Sequence, residues 1–412
     1  MRRFRRGSWA AEMSADGRLL FFTCGVRSFA YGFLSVILGL YLAAIGLDPA
    51  TVGAVFTAAL AGGAVMTIAL TAVADRVGRR NVLMVGALLM AAAGAAFATT
   101  NIPLLLAVAA IVGTISPSGK EVGPFLSIEQ AILPQTTGDE RRTGVFAAYN
   151  LVASLAGAVG ALGAGLPGLL GVGELDGYRL QLWGYAAASL VMLLLFSRLS
   201  SKAEAQPAPS RGPRRALGLH RSRGVVVKLA GLFAVDAFAG GFIVQGLLAY
   251  WFHLRFGADT NALAAIFFGA NLLSALSFLA AVPIARRIGL LNTMVFTHLP
   301  SNVLLVLVPL MPDLNLAVAL LLARFLLSQL DVPTRQSYTM ALVDPDERSA
   351  AAGITSVARN AAASIGPTFA GATLTVPALG LPFIVAGTLK ILYDVTIYFV
   401  FRGVKPPEEQ SR

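Results

Sequence analysis

Charge and cysteine are both scarce in this sequence. Only 13% of its 412 residues are charged, whereas a soluble domain typically has about 25%. The single cysteine, Cys24, excludes a disulfide within the chain and any multi-cysteine metal site. The 3 histidines lie far apart in the sequence and form no metal-ligand pattern. We therefore expect no metal and no cofactor.

Apolar residues, in contrast, are abundant. They make up 56% of the chain, and the mean hydropathy is +0.73. This composition excludes an ordinary soluble protein and a disordered one, and it indicates a polytopic protein embedded in a lipid bilayer. A membrane-spanning helix needs about 20 apolar residues. Twelve candidate spans are visible: 19–45, 50–74, 82–100, 103–133, 143–167, 179–197, 225–252, 261–284, 291–311, 315–343, 351–375 and 380–401.

The longest polar connection divides six spans from six. It is rich in proline, serine, alanine and basic residues, which is typical of a flexible linker. The prediction is an all-α membrane protein whose parts are a tail (1–18), a six-helix bundle (19–197), a linker (198–224), a second six-helix bundle (225–402) and a second tail (403–412).

The basic residues set the expected orientation. Loops on the side of both termini carry most of the lysine and arginine, whereas the opposite loops hold only Arg179 and Arg255. The positive-inside rule then places both termini and the linker in the cytoplasm of a plasma-membrane protein. The net charge of +11 is thus explained by topology. Because no basic face on a soluble domain is visible, we expect no nucleic-acid partner.

The two halves look related. After spans 2 and 8, an offset of 211 residues aligns Gly78 with Gly289 and Asn81 with Asn292. In spans 5 and 11, an offset of 210 aligns Asn150 with Asn360. The similar offset and the conserved order indicate an internal duplication, and many transporters place their site between two such repeats.

The loop after span 2 carries a recognisable motif. Residues 71–83 read TAVADRVGRRNVL, which resembles the signature G-x-L-A-D-R-x-G-R-K-x-x-L of the major facilitator superfamily. Thr71 replaces the first glycine, so spans 2 and 11 are expected to approach less closely. The second-half copy has Arg286 where Asp75 stands, so its gate chemistry must differ.

The resemblance implies two pseudo-symmetric six-helix bundles that carry a small molecule by alternating access. It also implies a gating loop formed by Asp75, Arg76, Gly78, Arg79 and Arg80, with Arg359 as a partner for Asp75 across the halves. Proton antiporters for drugs or metabolites are the favoured subtype, although their patterns are incomplete. The fragment Gly366, Pro367 and Gly371 lies in span 11 instead of span 5.

Ionisable residues at bilayer depth are the candidate site. Each costs about 2.5–3.5 kcal/mol on insertion scales, so it usually faces a cavity or a partner. Spans 4 and 10 carry polar stripes and helix-breaking residues at matching positions, and Pro333 is expected to interrupt span 10. The predicted substrate and proton pathway comprises Arg27, Tyr31, Lys120, Glu121, Asp236, Arg324, Ser328, Asp331 and Arg335.

Structural alternatives exist for several of these residues. Glu121 and Asp331 can form closed ion pairs with Lys120 and Arg335. Asp236, without a basic neighbour in sequence, suits a group that binds and releases protons, or else a neutral carboxyl bonded to another helix. Arg27 suits a substrate anion or carbonyl, but can also snorkel to the surface.

Three further charges are assigned to structure or solvent. Lys390 and Asp394 have the i,i+4 spacing of a structural ion pair on span 12. Glu129 lies near the predicted cytoplasmic end of span 4, where we expect it to be solvated.

The function predicted from the sequence is secondary transport of a small organic molecule, as proton-coupled efflux. The alternative is proton-coupled uptake of a metabolite or an organic anion. A distant alternative, an integral-membrane enzyme, would need a clustered nucleophile and base or metal ligands, and the sequence offers neither. The expected partners are the substrate, protons and the bilayer, and the expected state is a monomer.

Overall fold

The computed structural model describes residues 13–121, 123–133, 142–204, 221–344 and 347–404. Within these ranges the chain forms helices and connections, with no strand, which confirms the all-α prediction. The first half contains α1 (Ala15–Ala44), α2 (Pro49–Val77), α3 (Arg79–Thr99), α4 (Pro103–Val112), α5 (Phe125–Ile132), α6 (Arg142–Gly163), α7 (Leu166–Leu169) and α8 (Glu174–Phe196). The second half contains α9 (Arg223–Gly241), α10 (Gln245–Phe256), α11 (Thr260–Ile288), α12 (Leu290–Leu307), α13 (Leu314–Leu327), α14 (Asp331–Ala341), α15 (Arg348–Thr373) and α16 (Leu381–Phe401).

Among the described residues, 10 helical segments are long and apolar enough to cross a membrane. The predicted spans 4 and 11 are not among them, so the count of twelve stays a prediction. Span 11 is a continuous helix, α15, with a polar composition, whereas α4 has only 10 residues. The structure also describes short 3-10 helices in connections, at Ser201–Ala203, Val308–Leu310 and Pro377–Leu379.

Span 4 is broken by residues with unusual backbone geometry. Between α4 and α5 the described residues are non-helical, and Gly119 and Gly123 have φ values of 68° and 117°. Glycine adopts these values without the steric cost that a side chain imposes. Pro117 and Pro124 add to the break because proline lacks the N–H that a helix interior needs.

Spans 7 and 10 are also divided. Residues 242–244 separate α9 from α10, and residues 328–330 separate α13 from α14. The expectation that Pro333 interrupts span 10 is wrong in detail. Pro333 lies in the first turn of α14, where proline is tolerated, and the break falls just before it. The breaks in spans 4 and 10 nevertheless lie at matching positions of the two halves.

Equivalent residues of the two halves have the same local structure. Asp48 and Asp259, 211 residues apart, each accept a backbone hydrogen bond at the start of a helix. Gly78 and Gly289 end those helices with φ values of 101° and 90°. Asn81 and Asn292, one turn later, each donate to the carbonyl four residues earlier. These matches support the internal duplication.

The two halves meet near the helix ends predicted to face outward. In α1, a Cβ on Gly39 would lie 2.9 Å from the carbonyl oxygen of Gly246. Thr368 of α15 donates its hydroxyl to Thr57 of α2 at 2.8 Å. Tyr178 and Thr260 share a hydrogen bond of 2.9 Å. This side of the molecule is therefore closed.

The approach of α2 to α15 depends on glycine. A Cβ on Gly53 would lie 2.9 Å from the Cα of Gly371 and would also overlap the carbonyl oxygen of Pro367. Thr71, which was expected to make spans 2 and 11 approach less closely, lies at the opposite end of α2. There Thr71 is exposed and donates to Thr67 of its own helix. The close packing of α2 against α15 thus occurs at Gly53, near the end of α2 that is predicted to face outward.

Replacing Gly53 by valine is expected to open the outer side. Overpacking of this kind costs about 1–3 kcal/mol, which shifts a two-state equilibrium by roughly 5- to 150-fold. Spin labels at Asn101→Cys and Pro312→Cys, on exposed outer loops, should show a longer distance in the Gly53→Val protein. Gly184→Val is the matched control because a Cβ at Gly184 would have no atom within 4 Å. An unchanged distance in Gly53→Val would contradict the closed outer interface.

Candidate functional site

The first charge network lies in the N-terminal half around Arg27 of α1. Its guanidinium binds Glu129 through two hydrogen bonds of 2.9 and 2.7 Å, and its Nε donates to Glu121 at 2.6 Å. Tyr149 of α6 accepts from Arg27 at 3.0 Å and donates to Glu129. The ring of Phe125 stacks on the guanidinium, 4.8 Å from its central carbon.

The position of Glu129 differs from the one expected. Glu129 is 0% exposed and paired with Arg27, so the expectation of a solvated side chain is wrong. The helix restarts at Phe125 after the break, and α5 directs Glu129 inward. Glu121 likewise bonds to Arg27, and not to its neighbour Lys120. The fixed orientation of the Arg27 fork over two carboxylates also excludes the snorkelling alternative in this structure.

Among the described residues, this network holds two carboxylates and one cation. Arg27 and Glu129 have no exposed side-chain surface, whereas the side chain of Glu121 is 18% exposed. The Oε1 atom of Glu121 is buried and has no hydrogen-bond partner among the described residues. Glu121 is thus the network member that is reached by solvent and incompletely paired.

The second network lies in the C-terminal half around Asp236 of α9. Lys390 of α16 lies 2.5 Å from one carboxylate oxygen, and Arg359 of α15 lies 3.1 Å from the other. Arg335 of α14 lies 3.3 Å from Asp236 and 2.8 Å from Asp331. Asp236 is 3% exposed. Three helices therefore bring a cation each to one buried carboxylate on a fourth helix.

Two expectations about this region are wrong. Asp236 is not isolated, because its cationic partners come from other helices and are distant in sequence. Lys390 does not pair with Asp394, although their spacing allows it. Asp394 instead accepts from Asn302 at 2.9 Å and lies 2.8 Å from Nδ1 of His298. His298 and Asn302 are not among the residues predicted from the sequence, and their i,i+4 spacing on α12 was the available signal.

The remaining pathway residues divide between the halves. Tyr31 is buried in the first half, with its ring 6.3 Å from that of Tyr185. Ser328 is buried at the end of α13, where its backbone N–H donates to Arg324. Of the predicted pathway residues, Arg27 and Glu121 thus join the first network, and Asp236, Asp331 and Arg335 join the second.

Lys120 and Arg324 differ from the other cations. Lys120 is exposed, and the charges of Asp331 and Arg324 in the opposite half act on it. Arg324 is 6% exposed, and its Nε has no hydrogen-bond partner among the described residues. Its guanidinium lies 5.2 Å from the ring centre of Phe325. These two cations lie where the halves face each other.

The gating-loop residues have a partner that was not predicted from the sequence. Glu204 accepts from the backbone N–H groups of Arg79 at 2.6 Å and Arg80 at 3.3 Å, and so caps α3. A carboxylate at a helix N-terminus is stabilised by the helix dipole. Arg76 is exposed, and the side chain of Asp75 lies outside the described residues. Arg359, predicted to pair with Asp75, binds Asp236 in this structure.

The fold and the loop motif agree with a comparison of whole sequences. The family model of the Major Facilitator Superfamily matches residues 20–367. The chain belongs to the major facilitator superfamily. Among curated proteins it is similar to an uncharacterized membrane protein of Saccharomyces cerevisiae, with 29% identity over 426 residues that cover 95% of each chain.

Solved structures of the superfamily share the fold. A variant of the nucleoside transporter NupG superposes with a TM-score of 0.77 at 16% identity, covering 94% of this chain and 100% of that one. A D-xylose–proton symporter gives 0.70 at 15% identity, with 93% and 97% covered. The partially occluded, inward-open xylose transporter XylE from E. coli gives 0.67 at 14% identity, with 96% and 99% covered.

Membership of the superfamily defines the class of activity. This chain is a multi-pass membrane transporter and not an enzyme. Superfamily transporters carry small molecules across a membrane. Within the described residues, no group of three or more histidine, cysteine, aspartate or glutamate side chains is arranged to hold a metal ion.

Proposed function

We propose that this transporter couples the movement of a small organic molecule to protons by alternating access. The binding site lies between the halves, beside the breaks in spans 4 and 10. Contacts at Gly39, Gly53 and Thr57 close the outer side. In the opposite state, these contacts separate and the cytoplasmic ends meet. Broken helices at matching repeat positions are typical of transporter binding sites.

The observation that carries the proposal is the charge balance around Arg27. With both carboxylates ionised, the network has a net charge of −1, because one guanidinium faces Glu121 and Glu129. A proton on either carboxyl makes the network neutral, and burial of an uncompensated charge is costly. Glu121 is the member exposed to solvent, so we assign the proton to it. Proton exchange then alters which state of the transporter is favoured.

The proposed location, oligomeric state and direction of transport are those predicted from the sequence. The transporter lies in the plasma membrane with both termini cytoplasmic and acts as a monomer. Efflux in exchange for protons, as expected of a drug or metabolite antiporter, is the predicted direction, and uptake with protons is the alternative. These two directions differ in whether a bound proton weakens or strengthens substrate binding.

Loss of the Glu121 carboxyl is expected to abolish the response of the conformation to pH. Spin labels at Val77→Cys and Ile288→Cys, both exposed at equivalent helix ends, report the spacing of the cytoplasmic ends. Cys24 is buried and does not compete for the label. The wild-type distance distribution should shift between about pH 8 and pH 5, a range in which a perturbed carboxyl can titrate.

The Glu121→Gln protein should show the low-pH distribution at every pH, because glutamine resembles the protonated carboxyl. Asp313→Asn is the control, since Asp313 is an exposed helix cap that accepts from the backbone N–H of Leu316 and belongs to neither network. A wild-type pH response retained in Glu121→Gln would overturn the assignment of the proton to this residue.

A further inference from the structure

We infer that Lys120 and Arg324 form an anion subsite and that the transported molecule carries a carboxylate or phosphate group. This inference rests on the proposed transport function and specifies its substrate class. The two cations come from opposite halves, so one anionic group between them contacts both moving parts of the transporter.

Lys120 and Arg324 differ from the other cations of the site, each of which is bound to a carboxylate. Arg27 is held by Glu121 and Glu129, and Arg335 by Asp236 and Asp331. Lys390 and Arg359 also bind Asp236. Within the part of the chain that the structure describes, no carboxylate lies within ion-pair distance of Lys120 or Arg324. The charge of Asp331 acts on both cations, and that of Asp236 on Arg324, from farther away. A buried cation such as Arg324 is costly without a close partner, and a ligand anion would supply that partner.

The burial of Arg324 strengthens this inference. Its side chain is almost wholly buried, its Nε atom lacks an acceptor among the described residues, and the face of its guanidinium is covered by Phe325. An arginine that only tied helices together would use its donors on the protein. The planar donor groups of a guanidinium match the oxygens of a carboxylate or phosphate.

The location of Lys120 adds the second contact. It lies in the break between α4 and α5, where it is exposed yet influenced by the charges of Arg324 and Asp331. Two nearby positive side chains repel each other, and an anion between them removes that repulsion. Asp331 does not take the place of this anion, because its carboxylate is already bound to Arg335.

The anion subsite also determines the sign of coupling. Glu121 follows Lys120 in the break of span 4, and its carboxylate binds Arg27. A proton on Glu121 therefore lowers the negative charge on the first-half side of the break, which we expect to strengthen anion binding. By linkage, the bound anion then favours protonation to the same extent. Proton and anion therefore bind together and cross in one direction. The anion subsite thus favours the alternative direction, uptake driven by an inward proton gradient, over the efflux expected from the sequence.

A cysteine reporter tests the subsite even while the substrate is unidentified. Ser118 lies two residues before Lys120 and is partly exposed. The labelling rate of Ser118→Cys is measured with anionic, cationic and neutral methanethiosulfonates of similar size. The anionic reagent should react faster than the cationic one. Lys120→Gln should lower that rate ratio at least about fivefold, as expected for one unit charge nearby in a wet site.

The variants distinguish charge from structure. Lys120→Arg should keep the ratio, Arg324→Gln should lower it, and the neutral reagent should react equally in all folded variants. Citrate, succinate and glycerol phosphate should slow the labelling of Ser118→Cys, whereas glucose and choline should not. Equal rates for anionic and cationic reagents, or protection by choline alone, would overturn the anion subsite.

Proton coupling is tested separately, by the change with pH in the distance between spin labels at the cytoplasmic ends. If charge-selective labelling is seen but Glu121→Gln keeps the wild-type pH response, the proposed coupling fails and the anion subsite stands. If the pH response depends on Glu121 but labelling shows no charge preference, the coupling stands and the anion subsite fails.

Discussion

Replacing Asp236 by asparagine is expected to destabilise the transporter by about 3–5 kcal/mol, the range for breaking a buried ion pair. The carboxylate accepts contacts from Lys390, Arg359 and Arg335 at 2.5 to 3.3 Å. Asparagine keeps the shape but removes the negative charge, which leaves buried cations without compensation. The apparent melting temperature of detergent-solubilised protein, followed by size-exclusion chromatography, measures the loss.

A double variant shows whether the loss of stability comes from unbalanced charge or from altered packing. Asp236→Asn combined with Lys390→Met removes one negative and one positive charge, so it should recover part of the stability lost in Asp236→Asn. Asp313→Asn, at an exposed cap, should melt close to the wild type. An Asp236→Asn protein that melts like the wild type would contradict the role assigned to this carboxylate.

Arg27→Gln should have an effect of similar size in the other half, again about 3–5 kcal/mol. It removes the only cation bonded to Glu121 and Glu129 among the described residues, and both carboxylates remain within the network. Because low pH neutralises these carboxylates, the stability difference between Arg27→Gln and the wild type should shrink as the pH falls. Melting temperatures measured across a pH series test both the size and this trend.

The controls for Arg27 follow the same logic. Arg27→Gln combined with Glu129→Gln removes one charge of each sign and should be more stable than Arg27→Gln alone. Arg402→Gln removes an exposed cation and should change little. If the deficit of Arg27→Gln grew at low pH, the charge balance proposed for the network would be wrong.

The sequence predicted the fold well because membrane-spanning helices are determined locally. Long apolar runs, the proline and glycine residues of span 4 and the offset of the repeat are all visible in the sequence. The i,i+4 pair of Asp331 and Arg335 was also visible, as an alternative, and the structure contains it. The apolar runs, the helix breaks and this ion pair each depend on residues close together in the sequence, whereas the repeat is visible as a nearly constant offset.

The charge partners could not be predicted in the same way. Arg27 and Glu129 are 102 residues apart, and Asp236 and Lys390 are 154 apart. Such pairs depend on how helices pack, which hydropathy does not specify. Local spacing was also misleading for Lys390 and Asp394, since each found a better partner on another helix. A membrane helix exposes several faces to protein, so sequence proximity alone does not select the pair.

Proton movement in sealed proteoliposomes tests the central claim most directly. With a pH-sensitive dye inside and no imposed gradient, external citrate, succinate or glycerol phosphate should acidify the lumen of wild-type vesicles. The same vesicles with Glu121→Gln should take up no protons, and Asp313→Asn vesicles should behave like the wild type. Acidification that is equal in wild type and Glu121→Gln would contradict proton-coupled transport through Glu121.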